Sequence, residues 1–181
     1  GNCLLDQWMK KKFDKNFDQD GKISSEGNID LNLANNFLNK LKKTQINKNI
    51  SYDTSDFNLS EFNKLNPKDG AATLSFITAK AILNFAGDID LKKIIICGGG
   101  SYNQTIINNL KKDKFNISLM SHLSLPGDPN PILALDGSFV ESQAFAYLAV
   151  RSYLNLPISF PTTTGVKNEC VGGEVFNFKE Q

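Results

Sequence analysis

Between residues 93 and 120 the hydrophobic period changes, and that change restricts the fold more than any other feature. Ile94-Ile95-Ile96-Cys97 is an apolar run of strand length, and Gly98-Gly99-Gly100 follows it. Residues 103–110 then read as a helix and 117–120 as a second strand. Strand–loop–helix–strand is the local grammar of an α/β layer. Three residues without a Cβ at the end of a strand let backbone N–H groups approach a ligand closely. The helix behind them offers its positive end, which suits a nucleotide. Asn103 stands where it can hydrogen-bond near the first helical turn. A tight turn needed only for strand–helix packing explains the same glycines. Neither GxxxxGK[ST] nor GxGxxG is present, which excludes a P-loop and a dinucleotide fingerprint.

Elsewhere the periodicity is helical. Residues 3–12 place Leu4, Leu5, Trp8 and Met9 on one face, with Asn2 as the cap. Residues 14–21 are polar and turn-like, and 25–43 predict a long helix burying Ile29, Leu33, Phe37 and Leu41. Residues 45–58 read as irregular and 59–65 as a short helical element. Residues 70–84 read as a helix carrying Leu74, Ile77, Ala81 and, just beyond, Phe85. After a Pro- and Gly-containing loop over 123–137, residues 139–154 predict a helix with Phe145, Leu148 and Ala149 against the core, ended by Asn155-Leu156-Pro157. The expected division is a lobe over 1–156 and a tail over 157–181.

The 181 residues, 40% hydrophobic and 22% charged, are enough for one soluble globular core with a small appendage. No apolar run reaches the roughly 18 residues of a membrane span. Gly1 is followed directly by a folded pattern without a basic and apolar leader, so no signal peptide is expected. A net charge of +1 and short lysine runs give no basic stripe for nucleic acid. Three distant cysteines (Cys3, Cys97, Cys170) and a single histidine, His122, form neither a zinc pattern nor a disulfide framework, which fits a reducing compartment.

Several carboxylates need a decision. Setting Gly21 as the sixth residue of a calcium loop puts Gly27 where the bidentate glutamate belongs. Setting Asp14 first puts Gln19 at the glycine position, so a turn capped by Asp and Asn side chains is the better reading. Glu141 follows Ser138 by three residues, a capping-box pattern, although a carboxylate there could also grip sugar hydroxyls. Asp6 suggests a polar network at the start of the first helix. His122 follows the second strand, a place that suits a site edge but more often a structural histidine; the loop carboxylates Asp53, Asp56 and Asp128 orient substrate, bind Mg²⁺ through water or only cap turns, and no Ser–His–Asp set can be assigned.

The ordered segments Gly1-Asn2-Cys3-Leu4-Leu5-Asp6-Gln7-Trp8, Phe17-Asp18-Gln19-Asp20-Gly21, Ser51-Tyr52-Asp53-Thr54-Ser55-Asp56-Phe57 and Cys97-Gly98-Gly99-Gly100-Ser101-Tyr102-Asn103 carry a resemblance, strengthened by Glu141-Ser142-Gln143-Ala144-Phe145-Ala146 and Phe160-Pro161-Thr162-Thr163-Thr164-Gly165. Together the chain resembles the C-terminal half of the anhydro-N-acetylmuramic acid kinase family, in the sugar kinase/Hsp70/actin-like superfamily. The resemblance implies an α/β, ribonuclease-H-like or actin-like ATPase lobe, incomplete without an N-terminal lobe to which the tail returns. It implies a cytoplasmic enzyme, a homodimer, that uses ATP and Mg²⁺ on anhydro-N-acetylmuramic acid in cell-wall recycling. Gly98, Gly99, Gly100 and Asn103 would then border the nucleotide, and Gly1, Asn2 and Glu141 the sugar and reacting phosphate. The catalytic aspartate is expected upstream of Gly1, so the isolated chain is expected to be inactive. Ile50 and Thr54 depart from the basic residues common in the family. Another sugar kinase of the superfamily and a non-catalytic nucleotide-binding or assembly fragment are the alternatives.

Overall fold

The computed structural model describes residues 2–48, 57–87, 93–113, 115–119, 139–174 and 176, with backbone alone for 43–48 and 87. Gly1, the 51–56 segment with Asp53 and Asp56, Met120, His122, the loop 123–137 with Asp128, and Ser138 lie outside the described residues. The chain forms two compact units, residues 1–137 and 138–181.

The first unit is a helix-rich α/β domain. Helix α1 (Cys3–Phe13) buries Leu4, Leu5, Trp8 and Met9, the stripe its spacing predicts. Lys10, Lys11 and Lys12 stand at its negative end, and Asp14 closes it in the left-handed region at φ 50°. The expected side-chain cap by Asn2 does not form. Asn2 has φ −90° and ψ 0°, not the extended backbone of a capping residue, and only its carbonyl joins the helix, accepting the Asp6 N–H at 2.9 Å.

The helix expected over 25–43 is two helices, α2 (Lys22–Ser25) and α3 (Leu31–Lys48). Residues between them are pinned across the start of α4 (Pro67–Gly87). Gly27 lies so close to the Lys68 backbone that a Cβ there would overlap it. The Asn28 N–H donates to Asp69 and the Asp30 N–H to Thr73 Oγ1. Asp30 then caps α3 by accepting the Leu33 N–H at 2.9 Å. Leu33 and Phe37 are buried, whereas Ile29, ahead of the helix, is only half-buried. The continuation of α3 to Lys48 also replaces the irregular backbone expected from residue 45.

Helix α4 begins three residues earlier than Gly70. Asn66 accepts the Asp69 N–H and Pro67 takes the first helical position, where a missing N–H removes no bond. α4 packs against α1, α2, α3 and α5 (Gln104–Lys111) and carries the centre of the core through Ala71, Leu74, Ile77, Ala79 and Leu83. Phe85 does not join it: Leu83 and Ala86 take the buried side of the last turn, and Phe85 is 58% exposed.

Strands β1 (Lys93–Ile96) and β2 (Asn116–Leu119) pair in parallel with Ile94 opposite Ile117, joined through α5 (Gln104–Lys111). Ile94, Ile96, Ile117 and Leu119 pack on the core to which α5 contributes Ile106, Ile107 and Leu110. This is the α/β layer the change of period predicts.

In the second unit, α6 (Val140–Tyr153) ends at Leu154, and Asn155 follows at φ 55°. The tail folds back on it. Arg151 Nε donates to the Pro157 carbonyl at 2.6 Å and Ser152 Oγ to the Gly172 carbonyl at 2.6 Å. Ser159 and Cys170 form an antiparallel bridge around α7 (Pro161–Thr164). The half-buried residues of α6 are Val140 at its start and Leu148, Arg151 and Ser152, the last two lying one turn beyond Leu148. Phe145, expected in the core, is 64% exposed, and Ala149 is exposed as well. Among the described residues no helix is long and apolar enough to cross a membrane, and Cys3, Cys97 and Cys170 are free thiols.

Candidate functional site

The site is built from the end of β1. Gly98 has φ 75° and ψ −174°, a conformation that only glycine adopts without strain, and it turns the chain out of the strand. Residues Gly99–Tyr102 then form a 3-10 turn. The Gly98 carbonyl accepts from the Ser101 N–H at 3.0 Å and from Ser101 Oγ at 2.7 Å, and the Gly100 carbonyl accepts the Asn103 N–H at 3.2 Å. These carbonyls, which would repel an anion, are engaged inside the turn, while the first N–H groups of a 3-10 turn have no internal acceptor. A Cβ built on Gly98 or Gly99 meets nothing within 4 Å among the described residues. The turn is a bare, outward-facing strip of backbone. At Gly98 and Gly99 no described residue stands in the way of a ligand approaching the backbone.

Asn103 is 3% exposed, and its Oδ1 accepts the Ile106 N–H at 3.0 Å. It is the N-cap of α5, so it fixes where the helix, and the glycine turn before it, begins. Asn2 comes to the same place: a Cβ on Gly100 would stand 3.0 Å from Asn2 Oδ1. Two segments nearly a hundred residues apart in sequence, singled out separately as nucleotide wall and phosphate border, are thus neighbours in the fold.

Asp6, one turn into α1, forms no side-chain hydrogen bond with a described residue, where a polar network is expected. Its Oδ1 is buried without a hydrogen-bond partner, and burial raises its pKa above the ordinary 3.8. A carboxyl group raised in the folded state favours folding below its unfolded pKa and loses that contribution as pH rises through the folded value. Asp6→Asn is therefore expected to flatten the fall in stability above about pH 3.8, measured by urea unfolding across pH. An unchanged pH profile would show that Asp6 ionises freely.

Glu141 belongs to the second unit. α6 starts at Val140 with Phe139 at its N-cap and no side-chain cap bond, so Glu141 is the second helical residue and not the third. The capping-box register is off by one. The Glu141 side chain is exposed and forms no hydrogen bond or ion pair with a described residue.

The acidic turn at 14–21 is a structural device. Asp18 is 4% exposed and uses both carboxylate oxygens on backbone N–H groups, Ile23 at 2.9 Å and Ser24 at 3.0 Å. Neither oxygen is presented to a cation, which fits the turn reading and not the calcium loop. Among the described residues no three His, Cys, Asp or Glu side chains gather to hold a metal. Mg²⁺ bound with a nucleotide needs only one or two carboxylates beside the phosphates, so the described residues leave that mode open without supplying a dedicated cage.

A family model described as anhydro-N-acetylmuramic acid kinase matches residues 1–178. Curated proteins of that name from Pelagibacter ubique (strain HTCC1062) and Zymomonas mobilis subsp. mobilis are 37% and 35% identical over 179 and 177 residues. Each alignment takes in 96% of this chain and 46% of the relative. The counterpart from Agrobacterium fabrum is 34% identical over 181 residues, 96% of this chain and 45% of its own. The chain spans about half the length of the curated relatives it matches. With a family match over almost its whole length, and relatives this similar, the chain belongs to the anhydro-N-acetylmuramic acid kinase family.

Proposed function

We propose that this chain is the C-terminal half of an ATP-dependent kinase that opens the 1,6-anhydro ring of anhydro-N-acetylmuramic acid with water and phosphorylates the 6-oxygen. The product is N-acetylmuramic acid 6-phosphate, in cytoplasmic peptidoglycan recycling. The observation that carries the reading is the open Gly98–Gly99 turn at the end of β1, with Asn2 against Gly100. Family membership and the order of the matching segments support the substrate. The lobe is of the ribonuclease-H-like, actin-like kind, the enzyme a homodimer, and the tail over 157–181 returns to the N-terminal lobe.

ATP fits the residues present. The N–H groups of Gly99 and Gly100 would donate to phosphate oxygens, while Asn103 holds the turn by capping α5. ATP with Mg²⁺ supplies the phosphoryl group. Asn2 borders the reacting phosphate together with Gly1, and Glu141 accepts hydrogen bonds from sugar hydroxyls. The base that activates water is an aspartate upstream of Gly1. Positioning and charge stabilisation then carry most of the rate, as in other phosphoryl transfers.

The test uses the full-length protein and the isolated chain side by side, each with ATP, Mg²⁺ and the anhydro sugar, with products read by mass spectrometry. The full-length protein is expected to yield the sugar phosphate and the isolated chain none. Turnover by the isolated chain would place the base within these residues, against the proposal. Efficient phosphorylation of an ordinary sugar in place of the anhydro compound would point to a different sugar kinase.

A further inference from the structure

The Gln19–Gly21 turn, far from the glycine strip in sequence, packs against both the Gly99–Tyr102 turn and the start of α5. Its closest approach is at Gly21, which has φ 73°. A Cβ there would stand 2.5 Å from Asn103 Oδ1 and 2.8 Å from both the N and Oγ1 of Thr105. Only glycine admits the cap of α5 at this distance. The Gly21 carbonyl accepts the Thr105 hydroxyl at 2.8 Å and the Ser24 hydroxyl at 3.1 Å. Behind it, Asp18 ties down Ile23 and Ser24 by their N–H groups, so the carbonyl is presented from a braced turn.

We propose that residues 17–21 act as a strut that sets the position of the Gly98–Gly100 turn, with Thr105 as the positioning residue that couples the two. The bond between Thr105 and Gly21 ties the strut to the N-terminal end of α5, which the Gly99–Tyr102 turn directly precedes. Thr105 touches no reacting atom. It acts by holding Asn103 and the turn before it in register, so its loss weakens nucleotide binding without removing a contact to the nucleotide. The inference rests on the nucleotide reading of the glycine turn.

The experiment measures the affinity of the full-length protein for a non-hydrolysable ATP analogue by calorimetry, together with amide hydrogen exchange. Thr105→Val keeps the shape and removes the hydroxyl, and is expected to weaken binding about fivefold, the worth of one net hydrogen bond. Exchange should quicken at residues 98–103 and stay unchanged in α1 and α4. Thr105→Ser should restore both. Thr105→Ala is a second hydroxyl-free variant should the valine perturb the helix start. Wild-type affinity in Thr105→Val and Thr105→Ala, with Gly99→Val still impaired, would overturn the strut and leave the nucleotide site standing. Wild-type affinity in all of these variants would overturn the nucleotide reading, and the strut with it. Equal loss in Thr105→Ser and Thr105→Val would show that the hydroxyl is not the coupling group, which also overturns the strut.

Discussion

Trp8→Ala is expected to lower folding stability by about 3–5 kcal/mol, the range for emptying a large buried aromatic site. Trp8 is fully buried in the cluster shared by α1 and α4, and its Nε1 donates to the Pro67 carbonyl at 2.8 Å. The indole lies directly on Gly70, where a Cβ would overlap the ring. Gly70→Ala should therefore destabilise as well, by about 1–3 kcal/mol or more for overpacking, although alanine is the better helix former. The two effects should not add. With the indole gone, the methyl introduced by Gly70→Ala enters vacated space, so the double variant should be more stable than the sum of the singles implies, by about 1–2 kcal/mol. Urea unfolding of the four proteins measures this. Strict additivity would mean that Trp8 and Gly70 do not pack on each other.

The second large effect separates the stability of the glycine turn from its function. In the full-length protein, Gly99→Val should reduce affinity for an ATP analogue at least about tenfold, because a branched side chain blocks donors that a phosphate must reach. Its effect on stability should stay within about 0.5 kcal/mol, since nothing described stands within 4 Å of the new Cβ. Gly98→Ala should behave differently. At φ 75° an alanine is strained by about 1–3 kcal/mol, so stability falls along with affinity. Gly99→Val binding as wild type would mean that the open face of the turn serves something other than a nucleotide.

The parts of the fold that the sequence conveys are those set by local pattern. The apolar run 94–97 followed by glycines makes the β1–turn–α5–β2 layer legible, and the Leu4, Leu5, Trp8, Met9 stripe makes α1 legible. The interruption at 26–30 has tertiary causes: Gly27 against the Lys68 backbone, and N–H groups taken by Asp69 and Thr73 more than forty residues away. The early start of α4 rests on a local signal, Asn66-Pro67, a capping residue followed by proline at the first helical position. The extent of α6 is legible, but its covered face is not: its apolar residues go round the helix, and the bonds of Arg151 and Ser152 to the tail are tertiary.

For the site, the glycine triplet and Asn103 are visible in the sequence, but the use of Asn103 as a buried cap is not. The meeting of Asn2 with Gly100 becomes visible only once α1 is docked on the core. The bracing by Gly21 depends on Thr105, 84 residues along, and no local pattern could announce it.

Hydrogen exchange of the full-length protein with and without a non-hydrolysable ATP analogue and Mg²⁺ puts the nucleotide assignment to its plainest test. Amides of Gly99 and Gly100 should exchange at least about tenfold more slowly with the analogue bound, as donors to phosphate do. Saturating binding with protection confined to other segments, and no change over residues 97–103, would contradict the assignment.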